Sequence, residues 1–339
     1  MKTYNIPIFV PHMGCPFDCV FCNQRRITGQ TSGVKPSDVR SIISEALNTL
    51  PKGNKENKRV EVAFFGGSFT GIPIEEQSAL LSAAAEFSYA VDGIRLSTRP
   101  DYISGEILDN LAKYGVTTIE LGVQSMDDGV LKASNRGHTK EQVNAAVRLI
   151  RKYPFMLGLQ MMTGLPGDTP EKSLKTADEI IALKPELVRI YPTLTIKDTY
   201  LEKMYLDGRY IPQTLDEAVE LSKKLLLKFE AAGITVIRIG LQATDEICEE
   251  GSVTAGPVHS AFGELVESSI YFDLIEEKIK EKIKDKSVSA VVLVNDREIS
   301  KAVGNKRANI KKIREKYNIE LKIKGDKRLK KREVIFGCC

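Results

Sequence analysis

Six times between residues 4 and 239 a short β-rich apolar run ends in a polar or glycine-bearing turn and gives way to a helix-like stretch. The runs cover 6–10, 60–65, 93–96, 117–123, 155–162 and 187–191; amphipathic stretches such as 39–50, 74–87, 141–152 and 171–183 lie between them. Strands alternating with helices predict parallel βαβ units. About six such units suit a closed or partly open (β/α) barrel better than separate domains. Each of the last five runs is followed by an unusual turn: Gly66-Gly67-Ser68-Phe69-Thr70-Gly71, Ser97-Thr98-Arg99-Pro100-Asp101, Gln124-Ser125, Thr163-Gly164-Leu165-Pro166-Gly167 and Pro192-Thr193. In parallel α/β folds the C-terminal ends of the strands carry the active site, so five such turns on one rim predict one shared pocket.

Downstream, a helix over 213–232 precedes a β-like 234–239 and an irregular loop over 241–263 that contains Gly251, Gly256 and Pro257. A helix over 262–284 ends in a charged lysine–glutamate run, which marks a boundary. The expected architecture is α/β: a partial barrel with an extension over 1–284, then a small basic α+β domain over 285–339. No apolar run approaches the roughly 20 residues of a membrane-spanning helix, and the first residues, Met1-Lys2-Thr3-Tyr4, lead into no signal-peptide core. The expectation is a cytoplasmic protein with no membrane partner.

Six cysteines among 339 residues are too few and too unevenly placed for a disulfide scaffold. Three of them stand in Cys15-Pro16-Phe17-Asp18-Cys19-Val20-Phe21-Cys22, directly after the first run. Three thiolates on one loop can hold three irons of a [4Fe–4S] cluster, whose fourth iron then stays open to an exogenous ligand. A structural zinc site would want four ligands, and His12 is the only nearby addition. Phe17 and Phe21 would shield the cluster. Cys248 is most simply a small buried residue.

The Cys15, Cys19, Cys22 spacing resembles that of the radical S-adenosylmethionine superfamily. The segments 11–17, Phe65-Gly66-Gly67-Ser68-Phe69, Gly122-Val123-Gln124-Ser125, Asn135-Arg136-Gly137-His138-Thr139, Ile190-Tyr191-Pro192-Thr193 and Gly208-Arg209-Tyr210 are similar to the radical core of the Elongator catalytic subunit. The resemblance spans residues 4–265. It implies reductive cleavage of S-adenosylmethionine to methionine and a 5′-deoxyadenosyl radical, with an electron donor as partner. It also implies that Gly66 and Gly67 admit the methionine amino group, that Gln124, Arg136 and Gln160 line the ribose and carboxylate sides, and that Ser97 and Arg99 lie near the adenosyl group. The strand ending at Ser97 lacks the acidic residue that some relatives place there. Plainer readings stand beside these: a tight turn at Gly66-Gly67, a surface ion pair for Arg136, hydrogen-bonded structural roles for His138 and His259, and a buried phenol for Tyr191.

The Elongator subunit follows its radical core with an acetyltransferase domain, and no acetyl-CoA is expected here. Residues 288–310 and a strand over 319–323 instead resemble a KH domain of the kind found in NusA. Such domains clamp about four single-stranded nucleotides with a GxxG loop. The loop reads Gly304-Asn305-Lys306-Arg307, with arginine in place of the second glycine. From Arg297 to Arg332 there are 15 lysines and arginines against 4 acids, whereas the whole chain carries only +4. Gly304, Lys306, Arg307, Lys311 and Lys312 are therefore the expected RNA-binding residues. Cys338 and Cys339 resemble in placement the methyl-carrying cysteine of radical rRNA methylases, or are incidental. The expected function is a radical enzyme that modifies RNA, tRNA or rRNA. The alternatives are an RNA-binding protein with a structural or redox-sensing cluster, and a radical oxidase of a small molecule similar to the anaerobic porphyrinogen oxidases.

Overall fold

The computed structural model describes residues 2–10, 19–22, 33–51, 58–241, 251–282 and 289–337. Cys15, His12, Cys248, Cys338 and Cys339 lie outside the described residues.

The described residues form two compact units, 1–214 with 228–258, and 215–227 with 259–339. The first unit carries the strands β1 (Lys2–Val10), β2 (Lys58–Gly66), β3 (Gly93–Thr98), β4 (Val116–Gln124), β5 (Met156–Thr163), β6 (Leu187–Pro192), β7 (Thr195–Ile196), β8 (Thr235–Ile239) and β9 (Val253–Ala255). Seven of them make one sheet in the order β1-β2-β3-β4-β5-β6-β8, with every neighbouring pair parallel. The helices α1 (Pro36–Thr49), α2 (Ile74–Ala85), α3 (Gly105–Lys113), α4 (Asp128–Ala133), α5 (Lys140–Ile150) and α6 (Pro170–Ala182) fall between successive strands. Thr139 and Thr169 cap two of these helices through their hydroxyls, and Pro170 follows at the first helical position, where its missing N–H costs nothing.

Strand period decides the two faces of this sheet. Ile6, Ile8, Val62, Phe64, Ile94, Leu96, Ile119, Leu121, Leu157, Leu159, Val188 and Ile190 alternate along the strands and are all buried. The helices turn buried Val39, Ile43, Leu81, Leu108, Val143 and Ile180 inward. Each such side chain contributes about 1.5–3 kcal/mol of burial energy. The intervening residues face the other way. Thr3, Asn5, Pro7 and Phe9 of β1 line the same cavity as Thr235, Ile237 and Arg238 of β8, so the sheet curls until its two edge strands look into one space. No hydrogen bond joins β1 to β8 among the described residues, which leaves a half-barrel. Beyond it, α7 (Tyr200–Leu206) is followed by α8 (Leu215–Ala231), whose residues 215–227 count with the second unit.

The expected loop over 241–263 contains the short strand β9, antiparallel to β7. Its β-branched Val253 and Thr254 suit that pairing.

In the second unit, α9 (Phe262–Lys282) precedes β10 (Ser289–Val294), α10 (Ile299–Val303), α11 (Ala308–Tyr317), β11 (Glu320–Gly325) and β12 (Ile335–Phe336). The sheet order is β11-β10-β12, with β10 parallel to β11 and antiparallel to β12. Tyr271, Ile275 and Ile279 of α9 share one core with Val292, Ala302, Ile313 and Leu321. That shared core is why the 262–282 helix counts with this unit, although the charged run marks a boundary at 285. The β12 strand was not anticipated, because two residues carry no periodicity.

Candidate active site

The concave face of the half-barrel encloses a cavity of about 850 Å³. Cys19, Cys22, Gly66, Gly67, Ser97, Arg99, Gln124, Arg136 and Gln160 all line it. Nine residues scattered over 142 positions thus line one cavity. Gly304, Lys306, Arg307, Lys311 and Lys312 belong to the second unit. Among the described residues, which hold two of the three loop cysteines, no group of three or more His, Cys, Asp or Glu side chains gathers to hold a metal ion.

The cysteine loop is fixed from both sides. Val20 N–H donates to Ser134 O at 3.1 Å, its carbonyl accepts from Leu201 N–H at 2.7 Å, and Cys22 N–H turns back to Cys19 O at 2.9 Å. Val20 packs with Leu201 and Tyr210, while Phe21 also touches the cluster formed by Val130, Met162 and Leu165. The Gly208-Arg209-Tyr210 motif acts here: the Tyr210 hydroxyl donates to Gly164 O at 2.7 Å. Burial and then the nearby Asp168 charge raise its pKa, so it stays a protonated donor. Cys19 is buried and Cys22 half-buried, and neither is in a disulfide.

Arg136 reaches the same loop. Its Nη1 donates to Cys19 Sγ at 3.5 Å and its Nη2 to Gly122 O at 2.8 Å. A Cβ on Gly122 would stand 2.8 Å from that Nη2 and 3.0 Å from Gln124 Nε2, so only glycine leaves both groups in place. Gln124 itself has φ +66 after a bulge in the β4–β5 ladder. That left-handed backbone is strained for a side-chain-bearing residue, and it sets the amide where Gln160 Nε2 donates to its Oε1 at 3.2 Å. Arg99 holds Asp101 through two bonds of 2.9 Å and donates to Arg136 O at 2.7 Å. Ser68 accepts from Arg99 N–H at 3.2 Å, tying the glycine turn to the next strand end.

His138 is buried, with Nε2 3.2 Å from Val123 O. Burial first, then the positive charges of Arg136 and Arg99, push its pKa down to about 3. It is a neutral structural histidine behind the wall. Tyr191 does face the cavity, where its oxygen accepts from Arg189 Nη1 at 3.1 Å. His259 sits in the second unit and bonds Ala261 N–H and Asn305.

The cavity also holds a ladder that the apolar look of the strands conceals. Arg59 pairs with Glu61 at 3.0 Å, Glu61 with Arg95 at 3.1 Å, and Arg95 with Glu120 at 3.5 Å. Glu120 takes Arg189 through two bonds. Arg95, Glu120 and Arg189 are single charges inside otherwise uncharged strand runs, and only the pairing of the strands brings them together.

The family comparison decides what this barrel is. A family model for the radical SAM superfamily matches residues 9–180, and one for the radical SAM C-terminal domain matches 185–271. The chain belongs to the radical SAM superfamily. Its relatives within that family include an uncharacterised protein of Methanocaldococcus jannaschii, 30% identical over 64% of this chain and 68% of its own length. They also include the human Elongator complex protein 3, at 34% over 61% of this chain and 45% of that protein. The tRNA uridine(34) acetyltransferase of M. jannaschii is 27% identical over 61% of this chain and 45% of its own length. The chain thus spans about half the length of its Elongator and tRNA acetyltransferase relatives. Among solved structures, the archaeal M. infernus Elp3 shares the fold, with a TM-score of 0.60 and 23% identity over 82% of this chain and 64% of that one. The radical SAM barrel described above is therefore that of an enzyme of this class, with Elongator-like relatives. No helix among the described residues is long and apolar enough to cross a membrane.

Proposed function

We propose that this radical SAM enzyme binds a [4Fe–4S] cluster through Cys15, Cys19 and Cys22, and cleaves S-adenosylmethionine reductively in order to modify an RNA, tRNA or rRNA. The observation that carries the reading is the shared wall: two thiols of the loop, the Gly66-Gly67 turn and the Gln124–Gln160–Arg136 group look into one cavity. The residues fit the absent groups chemically. Thiols are the ligands that iron–sulfur clusters take, and Arg136 Nε is a buried donor with no acceptor among the described residues, suited to a carboxylate. When bound, the cluster and the cofactor supply one-electron cleavage of the sulfonium and hydrogen-atom abstraction from the substrate.

The chain's own residues bind and orient. Gly66, at φ +101, turns the backbone where a side chain would obstruct an amino group. Gln124 and Gln160 present amides to ribose hydroxyls. Ser97 and Arg99 would lie near the adenosyl group, with Arg99 locked by Asp101. Phe21 and Met162, which line the same cavity, would shield the thiols. An external electron donor completes the cycle.

RNA as substrate rests on the tRNA-modifying relatives and on the second unit. There the order β10-α10-loop-α11-β11 places Gly304-Asn305-Lys306-Arg307 between two helices, as in a KH domain. Lys306 and Arg307 are exposed, at φ +50 and +63. The left-handed backbone at Arg307 is one that glycine adopts readily, and the arginine adds positive charge there. The test is 5′-deoxyadenosine formation by the anaerobically reconstituted protein, with and without bulk tRNA and rRNA. Product that rises with RNA supports the reading. Product indifferent to every RNA, with no nucleotide changed in mass, contradicts the RNA half of it.

A further inference from the structure

The described charges of the cavity do not balance. Among the described residues, six arginines and two glutamates line it. The ladder uses both glutamates: Glu61 is held by Arg59 and Arg95, and Glu120 by Arg95 and Arg189. Arg99 has Asp101, and Arg136 faces the cysteine loop. Arg238 remains, half-buried on β8, with no acid or hydrogen-bond acceptor among the described residues.

The placement of Arg238 is specific. The β6–β8 ladder shifts register between Val188 and Arg189, so Arg238 lies directly opposite Arg189. Such bulges re-aim side chains and gather near active sites. Like charges directly opposite on neighbouring strands repel, and these two share a cavity wall. Arg189 is stacked at 5.3 Å on Phe65 and gives one N–H to the Tyr191 oxygen at 3.1 Å, which leaves the phenol O–H to donate.

We propose that Arg189, Arg238 and Tyr191 form a subsite for an oxyanion group of the substrate, a phosphate or a carboxylate, at the β6–β8 side of the cavity. This deepens the reading above and rests on it, since the cavity is taken as the substrate chamber. Tyr191 packs on the same Val130, Met162 and Leu165 cluster as Phe21 of the cysteine loop, so the subsite opens onto the same chamber. The oxyanion completes the charge that the two glutamates leave open, and Arg238 meets it as a charge-assisted donor.

The test is calorimetric titration of the anaerobically reconstituted protein with inorganic phosphate. The wild type is expected to show a saturable site, weakened about tenfold or more in Arg238→Gln, the loss of one charge-assisted bond. Arg238→Lys restores most of the affinity, and Arg40→Gln, on an outer helix, keeps the wild-type value. Thermal unfolding of each variant reports whether the fold is intact. Competition by succinate identifies a carboxylate ligand, and competition by a short single-stranded RNA identifies a nucleic-acid phosphate. Absence of saturable phosphate binding in the wild type overturns the proposal, as does an Arg238→Gln affinity equal to the wild type's. Failure of the wild type to form 5′-deoxyadenosine while it binds phosphate would overturn the radical reading instead.

Discussion

Arg136 Nη1 donates to the sulfur of Cys19 across 3.5 Å, joining two residues 117 positions apart. The bond links the cysteine loop after β1 to the segment between α4 and α5, and Gly122 leaves the space for it. Hydrogen bonds to cluster sulfurs raise the reduction potential. Arg136→Met is therefore expected to shift the reconstituted cluster to a more negative potential and to lower iron loading or activity by about 10–100-fold, the range for residues that support metal ligands. Redox titration followed by electron paramagnetic resonance checks this. An unchanged potential would show that the bond does not act on the cluster.

Glu120 lies between Arg95 and Arg189, with its side chain 4% exposed. Removing one partner from a buried ion network leaves uncompensated charge. Glu120→Ala is expected to lower stability by about 3–5 kcal/mol, read from the urea midpoint. Arg40→Gln breaks an exposed, solvent-screened pair with Glu86 and is expected to leave the urea midpoint essentially unchanged.

His138 makes stability depend on pH. Its folded-state pKa, about 3, lies below the ordinary 6.5. Between those values the unfolded chain binds the proton and the folded chain does not. Its contribution is therefore complete above pH 6.5 and falls as pH falls towards 3, by up to about 1.4 kcal/mol per pH unit. His138→Gln should flatten the fall in unfolding free energy between pH 6 and about 4. An unchanged slope would place the acid sensitivity elsewhere.

The basic loop makes a separate prediction. Lys306→Gln and Arg307→Gln are each expected to weaken single-stranded RNA binding and to reduce its salt dependence by about one counterion per lost contact. Gly304→Ala tests the loop's shape. At φ +79 its Cβ would stand 2.9 Å from Ser268 Oγ and 3.1 Å from Asn309 N, so it should destabilise by more than about 1 kcal/mol. Fluorescence anisotropy across a salt series and thermal unfolding read the two effects.

The half-barrel was legible because hydrophobic period and turn chemistry agree along residues 4–239. Part of the cavity lining was legible because Gly66, Gly67, Ser97, Arg99 and Gln124 stand at strand ends, where glycines and polar side chains interrupt apolar runs. The ion ladder was not, since Arg95, Glu120 and Arg189 are single charges inside strands and only strand pairing brings them together. Arg238 was hidden for a further reason: a register shift, which no local pattern announces, turns it towards Arg189. The second unit's extent was obscured because the charged end of α9 looks like a linker, while Tyr271, Ile275 and Ile279 lie in that unit's core.

The most direct test of the central claim is anaerobic reconstitution with iron and sulfide, reduction in the presence of S-adenosylmethionine, and measurement of methionine and 5′-deoxyadenosine. The wild type is expected to form both products, and Cys19→Ala and Cys22→Ala neither. A wild type that carries a full cluster and forms no 5′-deoxyadenosine, or a Cys19→Ala variant that forms as much as the wild type, would contradict the account.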